Sequence, residues 1–428
     1  MKFPRDRGRI VAPLLVAALA LAASSCASGS RNGAGAPLKV GLMYPMSGSQ
    51  GPGGLEEERG AQLAAKLVNN TGGVAGRPIE LVPLDVPEAG AAPAAVQTLA
   101  SKGVRLVVGS YGSTISAPAA AAASARGMLF WETGAVGELF LPTDQQGDLV
   151  FQVAPSGAVL GRGAIQFVAD HIAPSLRRDP SKLRYTVVAV DDAFGDAVSR
   201  GARDELRQRH YTLAGTVRYD PRRSQAATVV HQIAATRPDV LFAVAYLKDG
   251  VALRQETVRQ HLHLVANIGT SSSYCMPAFG AALGRDAVGL FASDKPDADS
   301  FNELALSQEG RIALETARNE YRSAYHQEMS AAALAGFAGA WALFHWTLPA
   351  ASSDSPADVA KAARALRLPQ GTLPNGSGVQ FGRAGTADAT VNLRATSVIW
   401  EWTAVDRRQV VWPKQFATGQ FRPLPMTA

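Results

Sequence analysis

The strongest constraint on the fold is an alternation of short apolar runs with amphipathic segments in the first third of the chain. Four apolar runs have the length of buried strands: Leu38–Tyr44, Ile79–Asp85, 104–109 and 128–131. Three segments between them carry apolar residues at helical spacing: 55–70, 91–102 and 116–126. This order of strand and helix predicts a parallel sheet with helices on both faces.

The same alternation begins again after residue 152. A helix is predicted at 161–172, and four further strand-like runs follow: 185–190, Thr212–Tyr219, 240–246 and 264–268. The segments between these runs, 196–210, 225–236 and 248–260, have helical periodicity. A chain of 428 residues exceeds one ordinary core. The sequence therefore predicts an α/β protein with two doubly wound parallel-sheet lobes.

After residue 283 the pattern changes. A strand is predicted at 288–293, an amphipathic helix at 311–326, and a terminal hairpin from 392–403 and 408–412. Residues 331–348 carry no charge, but a span needs about 20 residues, and the Gly and Ala content and His345 favour a helix buried between protein layers.

The first 37 residues have the order of a processing and anchoring segment. Four basic residues up to Arg9 precede an uncharged, mostly apolar stretch, as in a secretory signal peptide. Small residues then precede Cys26, as in the bacterial lipobox, in which the cysteine thiol is lipidated. We predict a signal peptide at 1–25 and a lipidated tether at 26–37. Ordinary signal-peptidase cleavage nearby is the alternative.

Charge and motif content exclude several classes. Residues 1–25 hold four basic residues and one acidic residue, so their removal lowers the formal net charge from +6 to +3. No run of Lys and Arg remains to follow a phosphate backbone, which argues against nucleic acid. The sequence lacks G-x-S-x-G, H-E-x-x-H and C-x-x-C motifs, so no catalysis, metal or cofactor is expected. Cys275 is interpreted as a small buried hydrophobe.

Four stretches stand in a specific order and spacing: 40–48 with 56–65 (VGLMYPMSG and EEERGAQLAA), 69–81 (NNTGGVAGRPIEL), 107–118 (VVGSYGSTISAP) and 190–195 (VDDAFG). Together they resemble the type I periplasmic binding proteins of ABC transporters, in the branch of the leucine/isoleucine/valine-binding protein. The resemblance spans about residues 38–412.

The resemblance implies two lobes joined by a three-stranded hinge, with a ligand in the cleft. Lobe 1 is expected at 38–152 plus 287–390, and lobe 2 at 153–286 plus 391–428 with the hairpin. The expected partners are an ABC permease and a small organic molecule, namely an amino-acid-like compound, an amide or an aromatic acid. The expected location is the cell envelope outside the cytoplasm, anchored to the membrane by the N-terminal lipid. A ligand-sensing or cell-envelope interaction module is the alternative function.

Ligand contacts are expected in the loops that follow the strands, since ligands of open α/β sheets bind beyond the carboxyl ends of the strands. The resemblance implies that Ser113, in the loop SYGSTIS with Thr114, binds a ligand oxygen. Capping of the following helix is the alternative role for these hydroxyl groups. Tyr44 and Ser47, at the end of the first strand, complete the expected contacts there.

A second contact loop, WETGAV, matches the family loop in which a backbone carbonyl and a Thr hydroxyl receive a ligand ammonium. The loop supplies four candidates: Trp131, Glu132, Thr133 and Ala135. Trp131 is predicted either to stack on a flat ligand or to pack in the core. Glu132 either pairs with a cationic or amine group of the ligand, or is a solvated loop charge or a hinge contact.

Lobe 2 is expected to contribute Phe194, Tyr246 and Ser271. Phe194 stands where the family has a Tyr that closes over the ligand, and Ser271 falls near an acidic family contact. Asp192 either faces the cleft or caps the following helix. In lobe 1, Val136 replaces the Thr of the contact loop, and the aromatic residue expected near Gly53 is missing. These departures weaken the case for an α-amino-acid ligand.

Overall fold

The computed structural model describes residues 35–137, 139, 146–298, 300–386 and 388–427. The predicted signal peptide at 1–25 and the predicted lipidation residue Cys26 lie outside these residues. The strands are β1 Leu38–Tyr44, β2 Ile79–Asp85, β3 Leu106–Gly109, β4 Leu129–Glu132, β5 Val150–Gln152, β6 Arg184–Val190, β7 Thr212–Tyr219, β8 Val240–Val244, β9 Ala266–Thr270, β10 Phe291–Asp294, β11 Val398–Ala404 and β12 Arg407–Trp412.

Helices connect most of these strands, as crossover connections between parallel strands require. They are α1 Gly51–Asn70, α2 Ala92–Ser101, α3 Ser113–Ser124, α4 Gly157–Phe167, α5 Ala173–Ser175, α6 Ala193–Gln208, α7 Ala226–Ala235, α8 Leu247–Arg259, α9 Pro277–Leu283, α10 Gln308–Tyr325, α11 Ala331–Trp341, α12 Leu348–Ala350 and α13 Pro356–Ala365. Several begin at a serine whose hydroxyl accepts a backbone N–H, as Ser156 does for α4 and Ser307 for α10.

The strands form two sheets, as predicted. The first is all parallel in the order β2-β1-β3-β4-β5. The second has the order β12-β11-β10-β9-β8-β6-β7, in which β11 runs antiparallel to β10 and β12. Apolar side chains fill both faces of the inner strands, so β3 and β8 are buried throughout. The predicted α/β class with two parallel sheets is confirmed.

Strand β10 lies in the second sheet, although the lobe boundary expected at residue 287 places it in lobe 1. Phe291 of β10 pairs with Ile268 of β9, and Asp294 pairs with Val398 of β11, so this strand lies within the second sheet. The sequence of a four-residue strand does not by itself show which sheet the strand will join. Its place is set by neighbours distant in sequence.

The chain passes between the two sheets three times. It leaves the first sheet after β5, and it leaves the second after β10 to form α10 and α11, which pack on α1. It returns to β11 after a bridge between Gln152 and Val391. These three crossings form the connection between the lobes.

Helix α11 and the turns that continue it are the one segment, among the described residues, that is long and apolar enough to cross a membrane. In the structure 72% of that segment is buried, and it packs along α1. Glycines make this close approach possible, since a methyl group on Gly60 of α1 would overlap the backbone carbonyl of Ala333.

We expect Gly60→Ala to destabilise the protein although alanine is the better helix former. The overlap is with backbone and cannot be relieved by a rotamer change, so the expected loss is about 2 kcal/mol of unfolding free energy. Gly90→Ala is the control, because no atom lies within 4 Å of the added carbon there. Urea denaturation of both variants tests this, and equal midpoints would show that α1 and α11 can move apart without cost.

Candidate functional site

A cavity of about 510 Å³ lies between the two lobes, at the carboxyl ends of the strands of both sheets. The first lobe contributes the loops after β3 and β4 and the start of α1, and the second contributes the segments after β6, β8, β9 and β10. Another cavity, of about 430 Å³, is lined by Arg254 and residues 423–427 and does not reach the first lobe. The cavity between the lobes therefore has the position expected of a ligand site in this topology.

Four of the predicted contact residues line this cavity: Ser113, Phe194, Tyr246 and Ser271. The rings of Phe194 and Tyr246 lie 5.3 Å apart and form an apolar wall on the second lobe. The hydroxyl of Tyr246 donates to Asp192, and Asp192 accepts from the N–H of Gly195, so Asp192 caps α6. These four residues meet at one place, and their contact with a ligand remains a prediction.

Ser113 has a second task in holding the wall of the cavity. Its hydroxyl accepts from the N–H of Gly137 at 2.9 Å, so the start of α3 is tied to the loop after β4. The hydroxyl of Thr114 faces the side chain of Gln50 at 3.3 Å instead of the cavity. Among the described residues, the backbone N–H groups of Ser113 and Thr114 have no hydrogen-bond acceptor, as is usual at the first turn of a helix.

Trp131 does not face the ligand space. It is fully buried, it contacts Phe151 and Phe381, and its indole N–H donates to the carbonyl of Gly339 at 2.8 Å. The core-packing alternative is therefore correct and the stacking role is not. The indole points into the layer between the sheet and α11, where its one polar atom is satisfied.

Glu132 is neither a ligand contact nor a solvated charge, since it is fully buried beneath the loop. One carboxylate oxygen accepts from the N–H groups of Gly134 and Ala135 at 2.9 and 2.7 Å. The other accepts from the N–H of Ser110 at 2.8 Å and from the hydroxyl of Ser116. Burial raises the pKa of Glu132 to about 7, although the four donors lower it. This side chain fixes the shape of both contact loops.

Thr133 and Tyr44 belong to the same buried support. The Thr133 hydroxyl donates to Glu57 at 2.6 Å and lies 2.7 Å from the hydroxyl of Tyr44. Ala135 is also buried behind the loop surface, on which Gly134 and Val136 face the cavity. Tyr44, Thr133 and Ala135 do not line the cavity. Thr133 and Ala135 alternate along the loop with Gly134 and Val136, which do line it, and Tyr44 lies on β1 behind the loop.

Ser47 also lies away from the cavity. It is exposed, and its hydroxyl donates to Asp85 at 2.5 Å. The backbone N–H groups of Met46 and Ser47 donate to the same carboxylate. These three bonds tie the turn between β1 and α1 to the end of β2, which is a structural role.

Tyr111 was missed by the sequence reasoning although it lies in the quoted loop SYGSTIS. Its ring covers Gly53 so closely that a side chain at that glycine would overlap it. The aromatic group expected near Gly53 is therefore present and comes from the loop after β3. Burial raises the pKa of the Tyr111 hydroxyl well above its ordinary value. Tyr111 thus supplies an aromatic group of the first lobe to the cavity, which Ser272 lines from the second lobe.

The charged residues of the cavity were also missed. Lys295 and Asp297 follow β10 in one crossing between the lobes, and Arg408 comes from the C-terminal hairpin. Arg408 pairs with Asp297 and lies over the ring of Trp400, 4.3 Å from its centroid. Cys275, interpreted as a buried hydrophobe, is buried and donates to Asp294 at 2.6 Å. Nothing local in the sequence marks these groups as neighbours.

Two α/β lobes with a cavity at the carboxyl ends of both sheets, and with loops braced by buried side chains, define a solute-binding protein. The sequence profile described as "Periplasmic binding protein" matches residues 37–396, and the chain belongs to that family. This is a family of binding proteins and not of enzymes, and membership implies an extracytoplasmic location.

Relatives cover almost the whole chain. The "Leu/Ile/Val-binding protein homolog 8" of Brucella suis biovar 1 is 27% identical over 413 residues, which is 96% of this chain and 98% of the relative. The "Leu/Ile/Val-binding protein homolog 7" of Brucella abortus is 25% identical over 394 residues, 91% of this chain and 94% of the relative.

Solved structures share the fold at low sequence identity. A putative branched-chain amino acid ABC transporter protein from Silicibacter pomeroyi has a TM-score of 0.73 at 16% identity and covers 91% of this chain and 99% of its own. A solute-binding protein from R. palustris in complex with benzoate has a TM-score of 0.67 at 16% identity, covering 92% and 99%. LivJ from Streptococcus pneumoniae, in complex with isoleucine, has a TM-score of 0.66 at 18% identity, covering 88% and 100%.

Proposed function

We propose that this chain is a lipid-anchored solute-binding protein that captures a small organic molecule between its lobes and delivers it to an ABC permease. The observation that carries the proposal is the cavity, whose walls come from both lobes, with Tyr111 of the first lobe and Ser272 of the second among the residues that line it. A ligand that contacts both walls stabilises the closed form over the open one.

The ligand classes in the proposal are an amino-acid-like molecule, an amide or an aromatic acid. The relatives named for Leu/Ile/Val binding and the fold neighbours with isoleucine and benzoate support a ligand of this size. The apolar wall of Phe194 and Tyr246 supports a ligand with an apolar body.

A thermal-shift screen of purified residues 27–428 against a metabolite library tests the binding role. A ligand at 100 times its Kd adds about 2.7 kcal/mol of stability, which is a shift of several degrees. Small-angle scattering with and without the hit then reports closure. A library of amino acids, amides and organic acids in which no compound shifts the melting temperature would contradict the proposal.

Anchoring is tested separately in the bacterial host of expression. Incorporation of a labelled fatty acid and membrane association are expected for the full chain and not for Cys26→Ala. A Cys275→Ala variant is the matched control, since this buried thiol lies inside the second lobe. Equal labelling of the full chain and Cys26→Ala would overturn the lipid anchor and leave the binding role standing.

We expect Phe194→Ala and Tyr246→Ala each to weaken ligand binding by about tenfold or more, because burial of an aromatic side chain contributes about 1.5–3 kcal/mol. Calorimetric titration with the hit from the screen measures this. Phe421→Ala is the control, since Phe421 packs on Phe167 and Phe291 and does not line the cavity. If both variants fold and bind with unchanged affinity, the ligand does not bind against Phe194 and Tyr246.

A further inference from the structure

Lys295 is a buried cation at the wall of the cavity. Only 7% of the residue is exposed, and its ammonium donates to the carbonyl of Gly134 at 2.9 Å. An ammonium group has three protons to donate, so two remain for other acceptors. Among the described residues, no carboxylate oxygen lies within the 4.0 Å of an ion pair with Lys295. Both Lys295 and Gly134 line the cavity.

Of the other charged side chains that line the cavity, Glu56 accepts from the hydroxyl of Ser330 at 2.6 Å and has no ion-pair partner among the described residues, and the remaining ones except Asp294 are paired. Arg408 pairs with Asp297. Glu328 accepts from Arg322 through both oxygens, at 2.7 and 2.9 Å. Two cations line the cavity, Lys295 and Arg408. Among the described residues, Arg408 has an ion-pair partner and Lys295 does not.

Two carboxyl groups lie close enough to Lys295 to act on it electrostatically, Glu57 from α1 and its chain neighbour Asp294. Burial raises the pKa of Glu57 to about 8, so this group is mostly neutral at pH 7. Burial also raises the pKa of Asp294, which accepts from the thiol of Cys275. Each carboxyl group has one oxygen that is buried without a donor, which suits a protonated acid better than a carboxylate. Lys295 thus has no carboxylate within ion-pair distance among the described residues, and its ammonium is left for a ligand to pair with.

The start of α3 offers a second group of donors to the same cavity. This helix has twelve residues, and its first residue, Ser113, lines the cavity with Gly112. The free N–H groups of Ser113 and Thr114 and the positive end of the helix dipole favour an anion. The carbonyl of Gly134, a cavity residue that could otherwise accept from an ammonium on a ligand, is already bonded to Lys295.

We infer that the ligand is an organic carboxylate with an apolar body and without a free ammonium group, because Lys295 supplies the cation that such a group would bring. This inference rests on the proposed binding function and specifies its substrate class. The carboxylate accepts from Lys295 and from the N–H groups at the start of α3. The apolar body lies against Phe194 and Tyr246.

Compounds that share a carbon skeleton test the inference by calorimetry on residues 27–428. The series are 4-methylpentanoate, leucine and 3-methylbutylamine, and phenylacetate, phenylglycine and benzylamine. We expect the acids of at least one series to bind about tenfold or more tightly than the matching amino acids, since the ammonium group of the amino acid would be desolvated beside Lys295, and a buried donor without an acceptor costs about 1–3 kcal/mol. The amines are expected not to bind.

Lys295→Met is expected to weaken acid binding by about tenfold or more, and Lys295→Arg to retain part of it. Lys102→Met, an exposed lysine at the end of α2, is the matched control. The melting temperature and circular dichroism of each variant show whether it has folded. An amino acid that binds as tightly as its deaminated partner, or unchanged acid affinity in folded Lys295→Met, would overturn the inference and leave the binding function intact. If neither these compounds nor the library bind, the proposed function itself fails.

Discussion

Glu132→Ala is expected to lower the free energy of unfolding by about 3 kcal/mol. The substitution leaves the buried N–H groups of Ser110 and Gly134 without an acceptor, whereas the N–H of Ala135 keeps the carbonyl of Ser110 at 3.3 Å and the hydroxyl of Ser116 keeps that of Ser110 at 2.7 Å. Each such group costs about 1–3 kcal/mol when it stays dry. Part of this loss is offset because the burial cost of the carboxylate itself disappears, a cost that the raised pKa of about 7 reflects. Chemical denaturation at pH 7 measures the difference.

Glu80→Ala serves as the control, because Glu80 is exposed on β2 and its removal should change stability by less than about 0.5 kcal/mol. Glu132→Gln should fall between the two, since an amide oxygen can still accept from two donors while its NH₂ group opposes the others. We also expect Glu132→Ala to lose ligand binding, because the loops it braces form the cavity wall. Equal stability of Glu132→Ala and Glu80→Ala would show that the loops hold their shape without this carboxylate.

The elements that position the site could be predicted from local pattern. The predicted strand Leu38–Tyr44 has the observed bounds, because a mostly apolar run that ends at Pro45 is marked in the sequence itself. The loops that follow strands could be nominated too, since parallel strands bring their carboxyl ends to one edge. Within those loops, the family resemblance nominated Ser113, Phe194 and Tyr246, which meet at the cavity.

Side-chain direction within those loops could not be predicted from the sequence. Trp131 and Glu132 stand beside cavity residues in the chain, yet both point into the protein because their partners arrive from elsewhere. Gly339 comes from α11, more than 200 residues away, and covers Trp131. Lys295 and Arg408 reach the cavity from a crossing segment and a terminal hairpin for the same nonlocal reason.

The second large effect concerns Glu57 and the pH dependence of stability. Burial raises the pKa of Glu57 from the ordinary 4.5 to about 8, while the charge of Lys295 and the hydroxyl of Thr133 lower it and Glu132 raises it. Between these two pH values the native state holds a proton that the unfolded chain has released. Stability from this group is therefore fully present below pH 4.5 and falls as the pH rises through about 8.

Glu57→Gln should remove this loss. Its amide oxygen can still accept from Thr133, and it cannot ionise, so the variant should match the wild type near pH 5 and exceed it at pH 9. The expected gain is on the order of a few kcal/mol, because each unit of pKa difference corresponds to about 1.36 kcal/mol. Urea denaturation from pH 5 to 9 measures both proteins. Glu56→Gln is the control, since Glu56 precedes it on α1, is half-buried and accepts from Ser330. A difference between Glu57→Gln and wild type that does not grow with pH would show that Glu57 is ionised in the native protein across this range.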